Sequence, residues 1–140
     1  MIPVLFRSLS RRRFLLDLVP AQAAAAYSLR RLRKSYTGAA IRVRRSSDNS
    51  ELDVGFTASG NLDTSTLLSF VGAGSGFITT WCDQTGNGRH SIQATAANQP
   101  RIVNAGTLEL VVGSSFPGRR FIQSSSTFLQ LPTNVYSGIT

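Results

Sequence analysis

The sequence contains few of the residues that form cross-links, bind metals or cross membranes. Cys82 is its only cysteine, so no disulfide can form within the chain, and its apolar strand pattern predicts a buried, inert thiol. His90 is the only histidine and has no cysteine or acid at metal-ligand spacing, so no metal or other cofactor is predicted. No apolar run reaches the roughly 18 residues that a transmembrane helix needs. No catalytic triad, phosphate loop or zinc pattern is present either.

Negative charge is scarce in the first third of the chain. Residues 1–45 hold eleven of the fifteen cations and one acid, Asp17, for a net charge of +10, whereas residues 46–140 hold four cations and six acids, net −2. All the cations except Lys34 are arginines, which bind carboxylate and phosphate groups through paired hydrogen bonds better than lysine does. This asymmetry predicts an anionic partner, and a solvated helix face with an anchoring arm is the alternative.

Residues 1–20 are predicted to form an attachment arm, because apolar and basic side chains are mixed there as in arms that fold against a partner. The expected contacts are Leu5, Phe6, Arg7, Arg11, Arg12, Arg13, Phe14 and Leu15. The segment around the arginine triplet is also similar to a twin-arginine export signal. However, its apolar stretch, residues 14–19, is shorter than a signal peptide requires and is interrupted by Asp17. Whether it directs export stays open.

A helix is predicted over residues 21–38. Pro20 suits the start of a helix, and the alanine run that follows has high helix propensity. Apolar residues recur at helical spacing, and Gly38 provides the stop; the stripe comprises Ala25, Leu29, Leu32 and Tyr36.

Residues 39–140 are predicted to form the β body. Residues 41–45 alternate between apolar and basic side chains, so Ile41 and Val43 should face inward. A short helix should follow an Asn61 or Asp63 cap and end at Gly72. The other expected strands are residues 52–58, 77–82, 101–103, 107–112, 119–123 and 128–131.

The most distinctive segment is the end of the third predicted strand, which reads WCDQTGNGR over residues 81–89. An apolar strand there runs into an acid–amide pair, and Gly86 and Gly88 then flank Asn87. Glycine adopts positive φ without steric cost and asparagine tolerates it, so this pattern predicts a tight loop.

Several segments together resemble one family. They read AYSLRRL followed by YTG, IRVRRSSDN, TTWCDQTGNG and QATAANQPRIV, in that order along residues 26–103. The chain is similar, over about residues 24–131, to the N-terminal part of the family-54 arabinofuranosidase-type, concanavalin-like jelly roll. The resemblance is stronger to bacteriophage tail-fibre and virion proteins that carry this pattern. Cys82 stands where the family has tyrosine, and Thr85 where it has serine.

The resemblance implies a mainly β fold, a partial jelly-roll β-sandwich preceded by the arm and the helix. It also implies that the family's catalytic carboxylates lie in a later part of the sandwich, with no counterparts here. We therefore expect no catalytic residue and no enzymatic activity. An open sheet edge must be covered, so oligomerisation or docking is expected.

The acids fit this interpretation. Glycosidases need a pair of carboxylates at a defined separation. Asp48, Glu51 and Asp53 cluster on a turn that looks solvated, and Asp63 suits a helix cap. Asp83 is expected to accept backbone N–H groups of its own loop, with a ligand or metal contact as the weaker alternative.

The predicted function is that of a non-enzymatic bacteriophage virion protein, in a tail fibre, spike or head–tail appendage that serves host attachment. Its partners would be other virion proteins and further copies of itself, with nucleic acid less favoured because no stacking surface accompanies the arginines. The alternative is a carbohydrate-binding module or degenerate arabinofuranosidase that recognises a host glycan. That alternative predicts an accessible platform formed by Trp81, Asp83, Asn87 and Arg89.

Overall fold

The computed structural model describes residues 14–19, 23–118 and 127–133. Six strands form one antiparallel sheet: β1 (Ile41–Arg45), β2 (Glu51–Val54), β3 (Gly76–Trp81), β4 (Ser91–Ile92), β5 (Arg101–Asn104) and β6 (Thr107–Leu108). The strand order is β2-β1-β3-β5-β6, and β4 pairs with β3 beyond the end of β5. The only α-helix of the described residues, α1, spans Thr64–Val71. The mainly β prediction is therefore confirmed.

The central strand pairs form because their side chains alternate between two environments. Ile41 and Val43 are fully buried, as predicted, while Arg42 between them is exposed. Arg42 lies opposite Asp53 on β2, and its Nε and Nη2 donate to the two carboxylate oxygens at 2.6 and 2.9 Å. One face of the pair thus contributes to the core, and the other carries a cross-strand ion pair.

The hydrophobic core lies between the sheet and α1. Its buried members include Ile41, Val43, Val54, Ile78, Ile102 and Val103 from the strands and Leu67 and Val71 from the helix. The helix begins and ends where the sequence predicts, because the carboxylate of Asp63 accepts the backbone N–H of Thr66 and Gly72 follows with a φ of 62°. No helix of the described residues is long and apolar enough to span a membrane.

The helix predicted over residues 21–38 is wrong. Residues 23–38, described throughout, contain no helix and form one isolated bridge, between Arg30 and Asn61; we call residues 23–36 the strap. The second predicted strand ends at Val54 instead of reaching residue 58, and the strand from Thr107 ends at Leu108. Residues 128–131 form only an isolated bridge to Ile92, and the predicted strand at residues 119–123 lies outside the described residues.

Candidate functional site

The loop that follows β3 has the backbone conformation that its glycines predict. Residues 83–89, the signature loop, leave the sheet after Cys82, whose N–H donates to the carbonyl of Ala40 at 2.9 Å. Gly86 and Gly88 have φ values of 92° and 69°. Nothing lies within 4 Å of a Cβ built on either residue, so the backbone conformation, not lack of space, requires glycine there.

Asp83 closes the signature loop from inside. It is 1% exposed, and its carboxylate accepts the backbone N–H groups of Thr85 at 2.9 Å and Arg89 at 3.2 Å. It also accepts the hydroxyl of Thr85 and the backbone N–H of Ala26, the latter at 2.9 Å. Burial by itself raises the pKa of Asp83, but the hydrogen bonds from Thr85, Ala26 and Arg89 outweigh it and hold the pKa below its ordinary value. The predicted role of Asp83 in its own turn is confirmed.

Gln84 ties the loop to the strap, and this was not predicted from the sequence. Its side chain is fully buried. Its Oε1 accepts the N–H of Leu32 at 2.8 Å, and its Nε2 donates to the carbonyls of Ser28 and Arg30 at 2.8 and 3.0 Å. Its own N–H donates to the carbonyl of Ala26 at 2.8 Å. One amide side chain therefore satisfies the backbone of alternate strap residues.

This pairing explains why the strap is not a helix. Residues 28, 30 and 32 turn their polar backbone groups toward the same side chain, a period of two that belongs to extended chain. In addition, the N–H of Arg31 donates to the carbonyl of Gly60 at 2.8 Å. The helix propensity of the alanine run is worth only tenths of a kcal/mol per residue, which is less than the net contribution of one hydrogen bond. The hydrogen bonds between the strap and the rest of the fold therefore outweigh it.

The rest of the signature loop also contacts the strap. The Nδ2 of Asn87 donates to the carbonyls of Ala23 and Ala24 at 3.2 and 3.1 Å, and Nη1 of Arg89 donates to the carbonyl of Ala24 at 3.2 Å. From the strap, the hydroxyl of Tyr27 donates to the carbonyl of Arg89. The loop thus clamps the strap against the sheet.

The two residues that flank this clamp have structural roles. Nδ1 of His90 accepts the backbone N–H of Asp83 at 3.0 Å. Cys82 is buried as predicted, and burial raises the pKa of its thiol to about 11. The described residues contain no group of three or more candidate metal ligands.

The structure does not bring the four residues of the predicted glycan platform together in one groove. Trp81 is half-buried and lines an open groove of about 940 Å³ together with Tyr27, whose ring centroid lies 5.6 Å from its own. Glu109 and the apolar residues 110–112 complete much of this aromatic groove. Asp83, Asn87 and Arg89 are not part of its lining.

Four of the other carboxylates are held by nearby cations or backbone groups. Glu109 Oε1 lies 2.7 Å from Nη2 of Arg101, and Asp48 Oδ2 lies 2.6 Å from Nη2 of Arg45. Asp63 caps α1. These contacts, together with the pairing of Asp53 with Arg42, give these four acids structural roles.

Only two of the predicted arm contacts fall within the described residues. Phe14 is half-buried, and the guanidinium of Arg31 lies over its ring, 5.2 Å from the centroid. Leu15 is 63% exposed. Leu5, Phe6, Arg7, Arg11, Arg12 and Arg13 lie outside the described residues.

The comparisons with known proteins agree with this geometry. The family model described as α-L-arabinofuranosidase B, catalytic, matches residues 18–113, which include the strap, the sheet and the signature loop. This chain belongs to that family. No curated protein matches the chain.

Solved arabinofuranosidase structures share the fold. A GH54 α-L-arabinofuranosidase soaked with a cyclic sulfate inhibitor is 30% identical, with a TM-score of 0.52; the match covers 57% of this chain and 19% of that one. An arabinofuranosidase complexed with arabinofuranosyl-α-1,2-xylobiose is 31% identical, with the same TM-score and coverage. The fold of this chain is thus part of the arabinofuranosidase-type jelly roll, as predicted. The chain spans about a fifth of the length of these relatives.

Proposed function

We propose that this chain is a non-enzymatic structural protein of a bacteriophage virion, attached through its basic N-terminal arm. The observation that carries the structural role is the clamp. The polar groups of the family's signature loop bind the chain's own strap: the carboxylate of Asp83, the amides of Gln84 and Asn87, and the guanidinium of Arg89. A loop used in this way holds a fold together.

The carboxylates support the non-enzymatic part of the proposal. Glycoside hydrolysis uses one carboxyl group as an acid and another as a base or nucleophile across the scissile bond. Glu109 is engaged with Arg101, and Asp53 with Arg42, while Asp83 is 1% exposed. Such carboxylates stabilise turns and strand pairs.

The virion setting is supported by the resemblance of the motifs and by the charge asymmetry. The chain carries a net charge of +8, and the excess lies in residues 1–45. An arm of arginines and apolar side chains fits an acidic groove on a neighbouring virion protein, where each guanidinium can pair with a carboxylate. Homo-oligomerisation of the β body would complete the assembly.

Two measurements test this proposal. Hydrolysis of 4-nitrophenyl α-L-arabinofuranoside, with which a related arabinofuranosidase was soaked, should not exceed the buffer rate; turnover that disappears in a Glu109→Gln variant would overturn the non-enzymatic role. In purified virions, the wild-type chain should be retained, and an Arg11→Gln/Arg12→Gln/Arg13→Gln variant should be lost. Equal absence of both chains contradicts the virion setting.

The aromatic groove favours a second candidate function, recognition of a neutral glycan. The tilted ring pair of Tyr27 and Trp81 offers apolar faces on which a sugar ring can stack, and Glu109 on the groove wall can accept hydroxyl groups. Titration with arabinofuranosyl and xylo-oligosaccharides, followed by tryptophan fluorescence, tests this function. A saturable change that Glu109→Gln weakens supports it, and no change up to millimolar sugar contradicts it.

A further inference from the structure

A second cleft, of about 500 Å³, lies between the short 3₁₀ turn Leu15–Asp17 and the strap. Its walls combine apolar side chains with two arginines and small polar residues, and they include Phe14, Leu15, Leu32, Arg30 and Arg31. No acid lines it. We call this site the basic cleft; it differs from the aromatic groove in both charge and position.

The two guanidinium groups of the basic cleft have no carboxylate partner among the described residues. The ion pairs of the described residues involve Arg42, Arg45 and Arg101, which lie outside the cleft. Arg30 is exposed. Arg31 stacks on the ring of Phe14, and its Nε is buried without a hydrogen-bond acceptor in the described part of the chain. A buried donor without an acceptor costs free energy, so a ligand that brings an acceptor to this guanidinium is favoured.

Apolar surface adjoins these charges. Leu15, on the wall of the cleft, is 63% exposed, and Leu18 and Val19 just after it are 55% and 48% exposed. The acid of this segment, Asp17, accepts the backbone N–H of Lys34 at 3.0 Å. A partner that covers this surface therefore needs both apolar side chains and negative charge.

The arginines of the cleft are held in place before any partner arrives. The carbonyl of Arg30 accepts Nε2 of Gln84, and the N–H of Arg31 donates to the carbonyl of Gly60. Leu16 donates its N–H to the carbonyl of Leu32 at 2.9 Å, which fixes the 3₁₀ turn against the strap. A fixed backbone lowers the entropic cost of binding.

We propose that the basic cleft binds an acidic, apolar peptide segment of a partner protein. Carboxylates of the segment pair with Arg30 and Arg31, because a guanidinium and a carboxylate can form two parallel hydrogen bonds. Leucine-like side chains of the segment cover Leu15. The identification of the partner as a virion protein rests on the proposed function. The chemistry of the cleft is independent of that function.

Fluorescence anisotropy with a dye-labelled peptide of alternating glutamate and leucine tests the proposal on the full chain at physiological salt. Arg30→Gln should weaken binding about tenfold, and Leu15→Ser should weaken it several-fold. Both side chains are exposed, so neither substitution should disturb the fold. Lys34→Gln, which removes an exposed charge from the strap outside the lining of the cleft, is the matched control and should change binding less than twofold. Thermal melting verifies that every variant is folded.

Three results would overturn the proposal. The first is equal binding by wild type and Arg30→Gln. The second is equal affinity for a glutamate–serine peptide, which would mean that charge alone attracts the ligand. The third is tighter binding of a single-stranded oligonucleotide, which would assign the surface to nucleic acid.

The arm and the virion setting are tested separately. If the Arg11→Gln/Arg12→Gln/Arg13→Gln variant loses the peptide while Arg30→Gln retains it, the arm is the binding site and the cleft is not. If the cleft binds the peptide but virions do not retain the chain, the virion setting fails and the cleft proposal stands.

Discussion

At the scale of single residues, Gln84 makes the sharpest prediction. Replacing it with alanine removes hydrogen bonds to Ser28, Arg30 and Leu32 in a fully buried site and leaves those backbone groups without partners. Each unsatisfied buried group costs about 1–3 kcal/mol. Gln84→Ala should lower the free energy of unfolding by roughly 3 kcal/mol or more in urea denaturation. Gln130→Ala, on an exposed side chain, should change it by less than about 0.5 kcal/mol.

Asp83 predicts a pH dependence. Its folded-state pKa lies below the unfolded value, so its carboxylate stabilises the fold fully above that unfolded value, near 4, and the stabilisation is lost as pH falls through the folded pKa. Asp83→Asn should therefore be less stable by roughly 2–4 kcal/mol at pH 7, and its stability should fall less steeply below pH 4. Some acid dependence should persist, because the pKa values of Asp53 and Asp63 are also lowered.

Unfolding midpoints measured between pH 2 and pH 7 check this prediction. The exposed Glu51→Gln is the control and should leave the wild-type profile intact. Parallel profiles for wild type and Asp83→Asn would show that Asp83 does not hold the loop through its charge.

At the scale of elements, the signature loop depends on the backbone freedom of its glycines. An alanine at Gly86 meets no neighbouring atom but must adopt a φ of 92°, so Gly86→Ala should cost about 1–2 kcal/mol of unfolding free energy. Gly55→Ala is the matched control, because a Cβ at residue 55 also meets no neighbouring atom and the φ of Gly55 is not positive. Equal stability of the two variants by thermal melting would refute a strained loop.

The helix α1 depends on its cap in a similar way. Asp63 accepts both the backbone N–H and the hydroxyl of Thr66. Asp63→Ala should destabilise the protein by about 1 kcal/mol, the usual cost of removing an N-cap. Ser69→Ala, at an exposed position within the helix, should be neutral or slightly stabilising. A neutral Asp63→Ala would mean that packing of Leu67 alone holds the helix.

At the scale of the whole molecule, local patterns predicted the elements whose side chains alternate or cap. Residues 41–45, the helix after Asp63 and the loop after Cys82 all formed where period, cap residues and glycines indicated. The helix predicted for the strap was wrong, because the side chain that bonds the strap backbone belongs to Gln84, more than fifty residues away in the sequence. The acid–amide pair at the end of a buried strand was the available sequence signal for this contact, but a role was predicted only for its acid, Asp83. The aromatic groove was missed for the same reason, since Tyr27 meets Trp81 only once the strap is clamped.

The central claim is that the family's signature loop clamps the strap, and amide hydrogen exchange tests it most directly. The account predicts that the N–H groups of Ala26 and Leu32 exchange as slowly as those of β1 and β3 in the wild-type chain. It also predicts that Gln84→Ala, measured where it stays folded, accelerates the exchange of Leu32 by at least tenfold while β1 stays protected. Rapid exchange at Leu32 in the wild type, or unchanged exchange in the variant, would contradict the clamp.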